Sequence, residues 1–406
     1  MANKHLTVAL LGFGVVGSGT AQVITENQDR ICRATGRGID IRYILDLREF
    51  PDSPFADRIV HDFNIILNDS EVDVVVEMMG GSHPAYEFSR AALEAGKSVV
   101  TSNKEVVANF GTELLALAKE KGVRYLFEAS VGGGIPVLRP LSQDMAANRV
   151  CAVNGILNGT TNYILTRMKS GASFDEVLAE AQALGYAERD PSADVDGLDA
   201  ARKIVILAAM STGLRVDPNT ISVEGIRSIS AADVEIAAEL GCTIKLIGHM
   251  TYDAASDKLS VWVAPCMVPA VHPLHHIDDV FNGILIDTDM LGQTLFYGRG
   301  AGKLPTAGAV VSDLTDIAMH PFDAATAPHW TDADEAQLLP AGEEKLPVCL
   351  IYKGGLDTLP TAQAQQVVTT DTHSAMLLPA MTQTEVTALV QSQATRPVAQ
   401  YRVLPL

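Results

Sequence analysis

The stretch that most constrains the fold is Leu6-Thr-Val-Ala-Leu-Leu11, an apolar run that ends on Gly12-Phe13-Gly14-Val15-Val16-Gly17. A short apolar strand turning on glycine straight into a helical pattern is the opening unit of a doubly wound α/β sheet. The glycines allow a tight turn and let a pyrophosphate approach backbone N–H groups at the helix N-terminus. Alone, G-x-G-x-x-G is a weak signal; with a strand before it and a helix after it, it becomes a specific one. The first 130 residues keep the same rhythm. Candidate strands at Leu6–Leu11, Ile39–Leu45, Val72–Met78, Ser98–Thr101 and Val123–Ala129 alternate with helical patterns such as Pro84–Ala95 and Glu105–Lys121. That alternation implies α/β architecture, a Rossmann-type parallel sheet with helices on both faces.

Asp46 ends the second candidate strand, where an acidic residue can bind the adenosine ribose. It lies further along than the usual spacing of about 20 residues, because a long helix and turn precede it. Arg48 stands two residues later and could meet a 2′-phosphate. NAD and NADP therefore both stay open, as does a plain strand-end cap for Asp46. Met79-Gly80-Gly81 and Ser102-Asn103-Lys104 end two further strands at the carboxyl edge of the sheet, where open α/β folds bind ligands. Lys104 is aimed at cofactor or substrate there, or is an ordinary exposed lysine.

From about Arg149 the texture changes. A strand-like segment, Arg149–Leu157, precedes helices near Thr161–Lys169, Ser173–Leu184 and Gly197–Thr212. Strand patterns follow at Thr243–Thr251, Lys258–Met267, Gly283–Asp287 and Thr294–Tyr297, which reads as a mixed α/β domain with an antiparallel-type sheet. Lys303–His320 is helical again and is expected to pack back on the first domain. His320–Glu344, with its prolines and repeated acids, reads as a linker. The remainder alternates strand, strand, helix and strand at Pro347–Tyr352, Ala375–Leu378, Thr384–Gln393 and Val398–Leu404.

The chemistry concentrates at Asp194-Val-Asp196-Gly-Leu-Asp199-Ala-Ala-Arg-Lys203, which opens onto the apolar helix Ile204–Met210. A helix apolar on every side is normally buried. Asp199 and Lys203 are four residues apart and share a face, so a carboxylate and an ammonium meet at the edge of the interior. Buried charge is costly unless paired or used. Just before it, Gly185-Tyr186-Ala-Glu188-Arg-Asp190-Pro191 is either a solvated acidic loop or part of a site for an ammonium-bearing substrate. Asn154-Gly-Ile-Leu-Asn158-Gly159-Thr160-Thr161-Asn162 turns a strand into a helix, with Asn158 or Thr160 as helix cap or ligand donor. Glu128 precedes Val131-Gly-Gly133-Gly-Ile135, whose carbonyls could converge on a hard cation or simply bend the chain.

Composition narrows the partners. A net charge of −19 argues against nucleic acid or an anionic membrane. The five cysteines are far apart with no Cys-x-x-Cys, which fits a reducing, cytoplasmic setting rather than disulfides or zinc. No run approaches the roughly 18 apolar residues of a membrane span, and the first apolar run is too short for a signal core.

In order along the chain, Gly12–Gly17, Ser102-Asn-Lys104, Glu128–Pro136, Gly155–Tyr163 and Gly185 through Lys203 resemble homoserine dehydrogenase, over roughly residues 5–320. The resemblance implies reversible NAD(P)H-linked reduction of L-aspartate 4-semialdehyde to L-homoserine, on the route to threonine and methionine. It implies Lys203 as proton donor, with Lys104 assisting at the nicotinamide. Glu188 and Asp199 would bind the amino-acid end of the substrate, with Asp194, Tyr186, Gly159 and Thr160 lining the site. Gly80, Gly185 and Gly302 would approach the cofactor beside Gly12, Phe13, Gly14, Val15, Val16 and Gly17. Glu128 with backbone oxygens of Val131, Gly133 and Ile135 would hold a monovalent cation such as Na⁺. The implied layout is a dinucleotide-binding domain at 1–130, with 303–320 packed on it, and a substrate-binding, catalytic and dimerisation domain at 131–302. A linker at 321–344 and a degenerate ACT-like unit at 345–406 complete it, in a homodimer or homotetramer. The tail departs from the family: Lys353-Gly-Gly-Leu-Asp-Thr-Leu-Pro360 lacks the Asp-x-Pro-Gly-Val-Leu type of turn, so threonine sensitivity is not implied.

Two other readings compete. One is another two-domain dehydrogenase of amino-acid metabolism, although aspartate-semialdehyde dehydrogenase needs a nucleophilic cysteine that none of the five supplies. The other is a cofactor-sensing regulator without catalysis, whose mark would be loss of Lys203 or Asp199; both are present.

Overall fold

A computed structural model describes residues 5–320, 322, 328–354, 363–393 and 395–405, in two compact units. The first comprises Met1–Ala147, Val205–Pro218 and Gly298–Asp332; the second comprises Asn148–Ile204, Asn219–Tyr297 and Ala333–Leu406.

The first unit is built on six strands: β1 (His5–Leu11), β2 (Gly38–Leu45), β3 (Ile59–Val60), β4 (Val74–Glu77), β5 (Ser98–Thr101) and β6 (Tyr125–Leu126). Their order is β3-β2-β1-β4-β5-β6 and every neighbouring pair is parallel. This is the Rossmann order, with its switch point between β1 and β4. The strands are continuous apolar runs because both sheet faces are covered. Val8, Leu10, Ile39, Ile44, Val74 and Val76 form one core with Val310 and Leu314 of α12 (Lys303–Met319). Helices α1 (Val15–Glu26), α2 (Gln28–Thr35), α3 (Phe63–Leu67), α4 (Ala85–Glu94), α5 (Lys104–Lys121) and α6 (Leu138–Ser142) complete the connections before residue 147. α5 starts where Asn103 accepts the Glu105 and Val106 N–H groups, and stops at Gly122 in the left-handed region with Lys119 and Lys121 in its last turn.

The second unit holds β7 (Val150–Ile156), α7 (Gly159–Met168), α8 (Phe174–Ala183), α9 (Ser192–Val195) and the start of α10 (Leu198–Thr212), whose residues from Val205 belong to the first unit. A short strand pair, β8 (Leu214–Arg215) with β14 (Thr331–Asp332), lies in the first unit. The second unit continues with β9 (Ser222–Val223), α11 (Ala231–Glu239), β10 (Cys242–Asp253), β11 (Lys258–Pro269), β12 (Phe281–Thr288) and β13 (Gly292–Arg299), whose residues from Gly298 belong to the first unit. After these come β15 (Leu346–Lys353), β16 (Gln366–Thr369), β17 (His373–Met381), α13 (Gln383–Ser392) and β18 (Ala399–Val403). One mixed sheet runs β13-β12-β7-β10-β11-β18-β15-β17-β16, with β9 on β11. β10 and β11 pair antiparallel over their full length, from Cys242 opposite Pro269 to Asp253 opposite Lys258.

The terminal strands therefore extend the central sheet instead of forming a sheet of their own. β18 pairs parallel with β11 at Cys266–Arg402 and Met267–Val403. The physical reason lies in β11, which is buried along nearly all its length and leaves a row of backbone groups needing a partner on that side. Short or ambiguous patterns escaped the sequence reading, among them β3, β16 and α11; the last carries a full Ser230–Asp233 capping box.

The stretch 321–344, read from sequence as a linker, is anchored at two places. Trp330 is buried against Gly111, where a Cβ would come within 2.3 Å of the indole. Glu344 reaches into the sheet of the second unit, where its Oε1 accepts from His249 Nε2 and Thr251 Oγ1, each at 3.0 Å. Its Oε2 accepts from Ser260 Oγ at 3.0 Å and Trp262 Nε1 at 2.8 Å. Burial works to raise this carboxyl, but His249 and the other donors outweigh it and hold it at about 2. A depressed folded-state value means stabilisation that is present above the ordinary 4.5 and lost as pH falls toward 2. Glu344→Ala is expected to cost about 3 kcal/mol in urea unfolding and to flatten the acid limb of stability; an unchanged midpoint would contradict this role.

Candidate active site

In the first unit the strand-to-helix turn is shaped by its glycines. Gly12 has φ +89°, its N–H donates to Leu45 O at 2.8 Å, and a Cβ on Gly17 would lie 2.0 Å from Gly12 O. Gly14 forms the N-cap of α1 with open space around it, and Val15 is exposed, so the helix N-terminus is accessible. An accessible helix N-terminus of this kind receives anionic groups. Phe13 N donates to Asp46 Oδ2 at 2.8 Å. Arg48 clasps the same carboxylate through Nε to Oδ1 and Nη2 to Oδ2, both at 2.9 Å. The Arg48 hydrogen bonds hold the Asp46 carboxyl well below the usual range, against the opposing effect of partial burial. Asp46 and Arg48, separate candidates in the sequence, are one bidentate pair here.

The neighbouring loops carry Gly80 and Lys104. Gly80 is exposed with open space where a side chain would be. Lys104 is the first residue of α5, directly after the Asn103 cap. Beneath them lies a residue the sequence reading passed over: Glu77, fully buried at the end of β4. Its Oε1 accepts from Met79 N at 2.7 Å and its Oε2 from Thr101 Oγ1 at 2.6 Å. Burial pushes this carboxyl up to about 7. An acid closing the otherwise apolar run Val74-Val-Val was the signal available in the sequence.

Glu128 is also buried, and its carboxylate caps α6. Oε1 accepts from Val137 N at 2.6 Å and Leu138 N at 2.9 Å, and Oε2 from Arg139 N at 2.7 Å. These three donors take three of the roughly four acceptor positions of a carboxylate. Below it, Glu128 N donates to Asp313 Oδ2 at 2.9 Å, while Arg139 Nη2 meets Asp313 Oδ1 at 2.6 Å. Burial first, and the Glu128 charge second, push the Asp313 carboxyl up to about 7. Gly133, with φ +57°, sits so close to Gly300 that a Cβ would come within 2.5 Å of its carbonyl oxygen. Val131, Gly133 and Ile135 are buried, and among the described residues their carbonyls accept no hydrogen bond. Gly302, at φ +120°, forms the N-cap of α12.

In the second unit one asparagine organises the charged helix mouth. Asn158 caps α7, its Oδ1 accepting from Thr161 N at 2.9 Å. Its amide Nδ2 donates to Asp194 Oδ1 at 2.7 Å and to Asp199 Oδ2 at 2.9 Å. Asp199 in turn meets Lys203 Nζ at 2.7 Å, and the ammonium also donates to Leu157 O at 2.8 Å. Asp199 and Lys203 are only 6% and 9% exposed. Burial and the neighbouring Asp199 charge raise the Asp194 carboxyl above its ordinary value. Thr160 Oγ1 donates to Tyr186 O at 2.6 Å, and the Tyr186 ring stands edge-on to Tyr163 at 5.1 Å. Gly159 is held close to Val280, where a Cβ would lie 2.8 Å from the carbonyl oxygen. Gly185 ends α8 in the left-handed region at φ +75°, and Glu188 is exposed.

The candidates thus fall into two sets. Gly12 to Gly17, Asp46, Arg48, Gly80, Lys104, Glu128, Val131, Gly133, Ile135 and Gly302 belong to the first unit; Gly159, Thr160, Gly185, Tyr186, Glu188, Asp194, Asp199 and Lys203 belong to the second. Lys203, Asp199 and Asp194 are joined through Asn158, which the sequence offered as a helix cap or a ligand donor. Among the described residues no cluster of His, Cys, Asp and Glu is arranged for a metal, and no helix is long and apolar enough to cross a membrane.

Comparison with known proteins places the chain in one family. Residues 136–315 match the homoserine dehydrogenase family and residues 12–128 match the homoserine dehydrogenase NAD binding domain. Homoserine dehydrogenase of Synechocystis sp. is 46% identical over 316 residues, covering 76% of this chain and 72% of that protein. That of Bacillus subtilis is 42% identical over 321 residues, covering 77% and 73%. The crystal structure of a homoserine dehydrogenase from Thiobacillus denitrificans superposes with a TM-score of 0.88 at 33% identity, covering 99% of this chain and 98% of that one. A hyperthermophilic archaeal homoserine dehydrogenase in complex with NADPH matches with a TM-score of 0.67 at 26% identity, covering 79% and 100%. With two family matches spanning most of its length, the chain belongs to the homoserine dehydrogenases, NAD(P)-dependent oxidoreductases that interconvert L-aspartate 4-semialdehyde and L-homoserine.

Proposed function

We propose that Lys203 delivers the proton in this reaction, with Asp199, Asp194 and Glu188 holding the substrate's ammonium end and Lys104 assisting at the nicotinamide. The observation that carries the reading is the grip on Lys203. Its Nζ is fixed between Leu157 O at 2.8 Å and Asp199 Oδ2 at 2.7 Å, nearly out of solvent. An ammonium has three N–H donors, so two are committed to orientation and the third is left to point at a reacting oxygen. The bound nicotinamide supplies the hydride to the aldehyde carbon. The oxygen then carries the developing negative charge, takes a proton from Lys203 and becomes the homoserine hydroxyl; the neutral amine recovers its proton from solvent. A second cation at the nicotinamide, the role proposed for Lys104, would favour that release. In the reverse direction the amine removes the hydroxyl proton. Tyr186, Gly159 and Thr160 line the same mouth. The direct test is Lys203→Ala, taken up below.

Cofactor choice centres on the Asp46–Arg48 pair. The ribose diol of NAD would replace Arg48 on the Asp46 carboxylate, whereas the 2′-phosphate that NADP carries in place of the 2′-hydroxyl would draw the guanidinium away from Asp46. The pair can thus serve NAD or NADP. Arg48→Ala is expected to raise the KM for NADPH about tenfold and to leave that for NADH within about twofold. Equal effects on the two cofactors would rule out this role.

We further propose a monovalent cation, probed as Na⁺, held by Glu128 with backbone oxygens of Val131, Gly133 and Ile135. Buried carbonyls without hydrogen-bond donors, as at Val131, Gly133 and Ile135, suit a hard cation. The exposed Leu291, Leu295 and Tyr297 on and beside the edge strand β13 support a homodimer or homotetramer. Free thiols at all five cysteines support a reducing, cytoplasmic setting. The layout read from the sequence, dinucleotide-binding, substrate-binding and ACT-like parts, is retained as a functional division.

A further inference from the structure

β4 places a carboxylic acid where the sheet is otherwise apolar. Glu77 is 0% exposed, follows three buried valines, and among the described residues pairs with no lysine, arginine or histidine. An unpaired buried carboxyl is expensive unless its acceptors are all used. They are used across two loops. Met79 N, on the turn that leaves β4, donates to Oε1 at 2.7 Å; Thr101 Oγ1, at the end of β5, donates to Oε2 at 2.6 Å. The network continues from there. Thr101 Oγ1 accepts from Asn103 N at 2.9 Å, and Asn103 Nδ2 crosses back to Gly81 O at 2.7 Å. The Asn103 Oδ1 meanwhile receives the first N–H groups of α5, whose first residue is Lys104.

One carboxyl therefore joins the Met79–Gly81 turn to the segment that launches Lys104. We propose that Glu77 is a positioning residue for the reaction, bracing the Gly80–Gly81 turn against the N-terminus of α5 and so setting where Lys104 stands. The inference rests on the reading of Lys104 as the assisting lysine. Glu77 touches neither substrate nor cofactor in this role; it acts through Thr101 and Asn103. A hydroxyl or an alkyl group could not replace it, because two donors from different loops arrive on two oxygens of one rigid group. Glutamine keeps the shape but turns one acceptor into a donor facing the Thr101 hydroxyl.

The test is a double-mutant cycle on the full-length enzyme between Glu77→Gln and Lys104→Met, read as kcat and as KM for homoserine. Glu77→Gln is expected to lower kcat about tenfold with KM within about threefold, and in the Lys104→Met background to cost less than about twofold. The same fold-loss in both backgrounds, or no loss in either, overturns the bracing role while leaving Lys104 in place. Normal turnover by Lys104→Met alone removes Lys104 from the reaction and the proposal with it. Thr101→Val, which deletes one donor without touching the acid, is expected to lose about threefold through the same cycle, and carries the test should Glu77→Gln fail to fold. A melting temperature lowered without a change in kcat marks Glu77 as merely structural.

Discussion

Lys203→Ala is expected to lower kcat about 10³-fold, the range for losing a positioned general acid, with the dissociation constant for NADPH nearly unchanged. The split follows from where the lysine sits. Its partners, Leu157 O and Asp199, belong to the second unit together with Asn158 and Asp194, whereas the dinucleotide turn belongs to the first. Removing the side chain also takes the Lys203 ammonium away from Asp199, which is 6% exposed. The variant is thus expected to unfold at lower denaturant, because breaking a buried ion pair is destabilising. Activity should be measured where the variant is fully folded, by absorbance of the reduced nicotinamide, with nucleotide binding followed separately by fluorescence. Turnover within a few-fold of wild type would sink the proton-donor assignment.

Asn158→Ala carries the second large effect. The amide hands one N–H to each of two carboxylates, at 2.7 Å and 2.9 Å, and its oxygen caps α7. Without it Asp194 and Asp199 face each other in a buried site. Asp194, already raised by burial and by Asp199, is pushed further toward its protonated form. A protonated Asp194 no longer attracts an ammonium, so KM for homoserine is expected to rise more than kcat falls. The combined loss in kcat/KM is about 100-fold, and stability drops by about 2 kcal/mol from the lost cap and the unsatisfied groups. The loss in kcat/KM should shrink as pH rises and Asp194 ionises again. A pH-independent loss, or kcat/KM within about twofold of wild type, would show that Asn158 only caps the helix.

Much of this was visible in the chain itself. Gly12, Gly14 and Gly17 behind an apolar strand identify the dinucleotide turn; at Gly17 the backbone excludes a side chain, whose Cβ would come within 2.0 Å of Gly12 O. The i,i+4 spacing of Asp199 and Lys203 identified the charged helix mouth, because helical periodicity alone brings them together. Other features were invisible for a physical reason. Asn158 and Asp194 are 36 residues apart and meet only in the fold. Glu344 looked like one more acid in a polar connection, yet four donors from β10 and β11 bury it. The terminal strands read as a small unit of their own because pattern shows that a strand exists but not which edge it joins.

By itself, then, the sequence determined the local geometry: strands, helices, the glycine turn, and the pairs that one helical turn brings into reach. Those follow from φ/ψ sterics and side-chain periodicity, which act over a few residues. The tertiary structure alone decided which charges are used and which are merely held. Glu128 became a helix cap, Asp46 closed on Arg48, and Glu77 took donors from two loops, because in a low-dielectric interior each buried carboxylate must find its hydrogen-bond donors wherever the fold provides them.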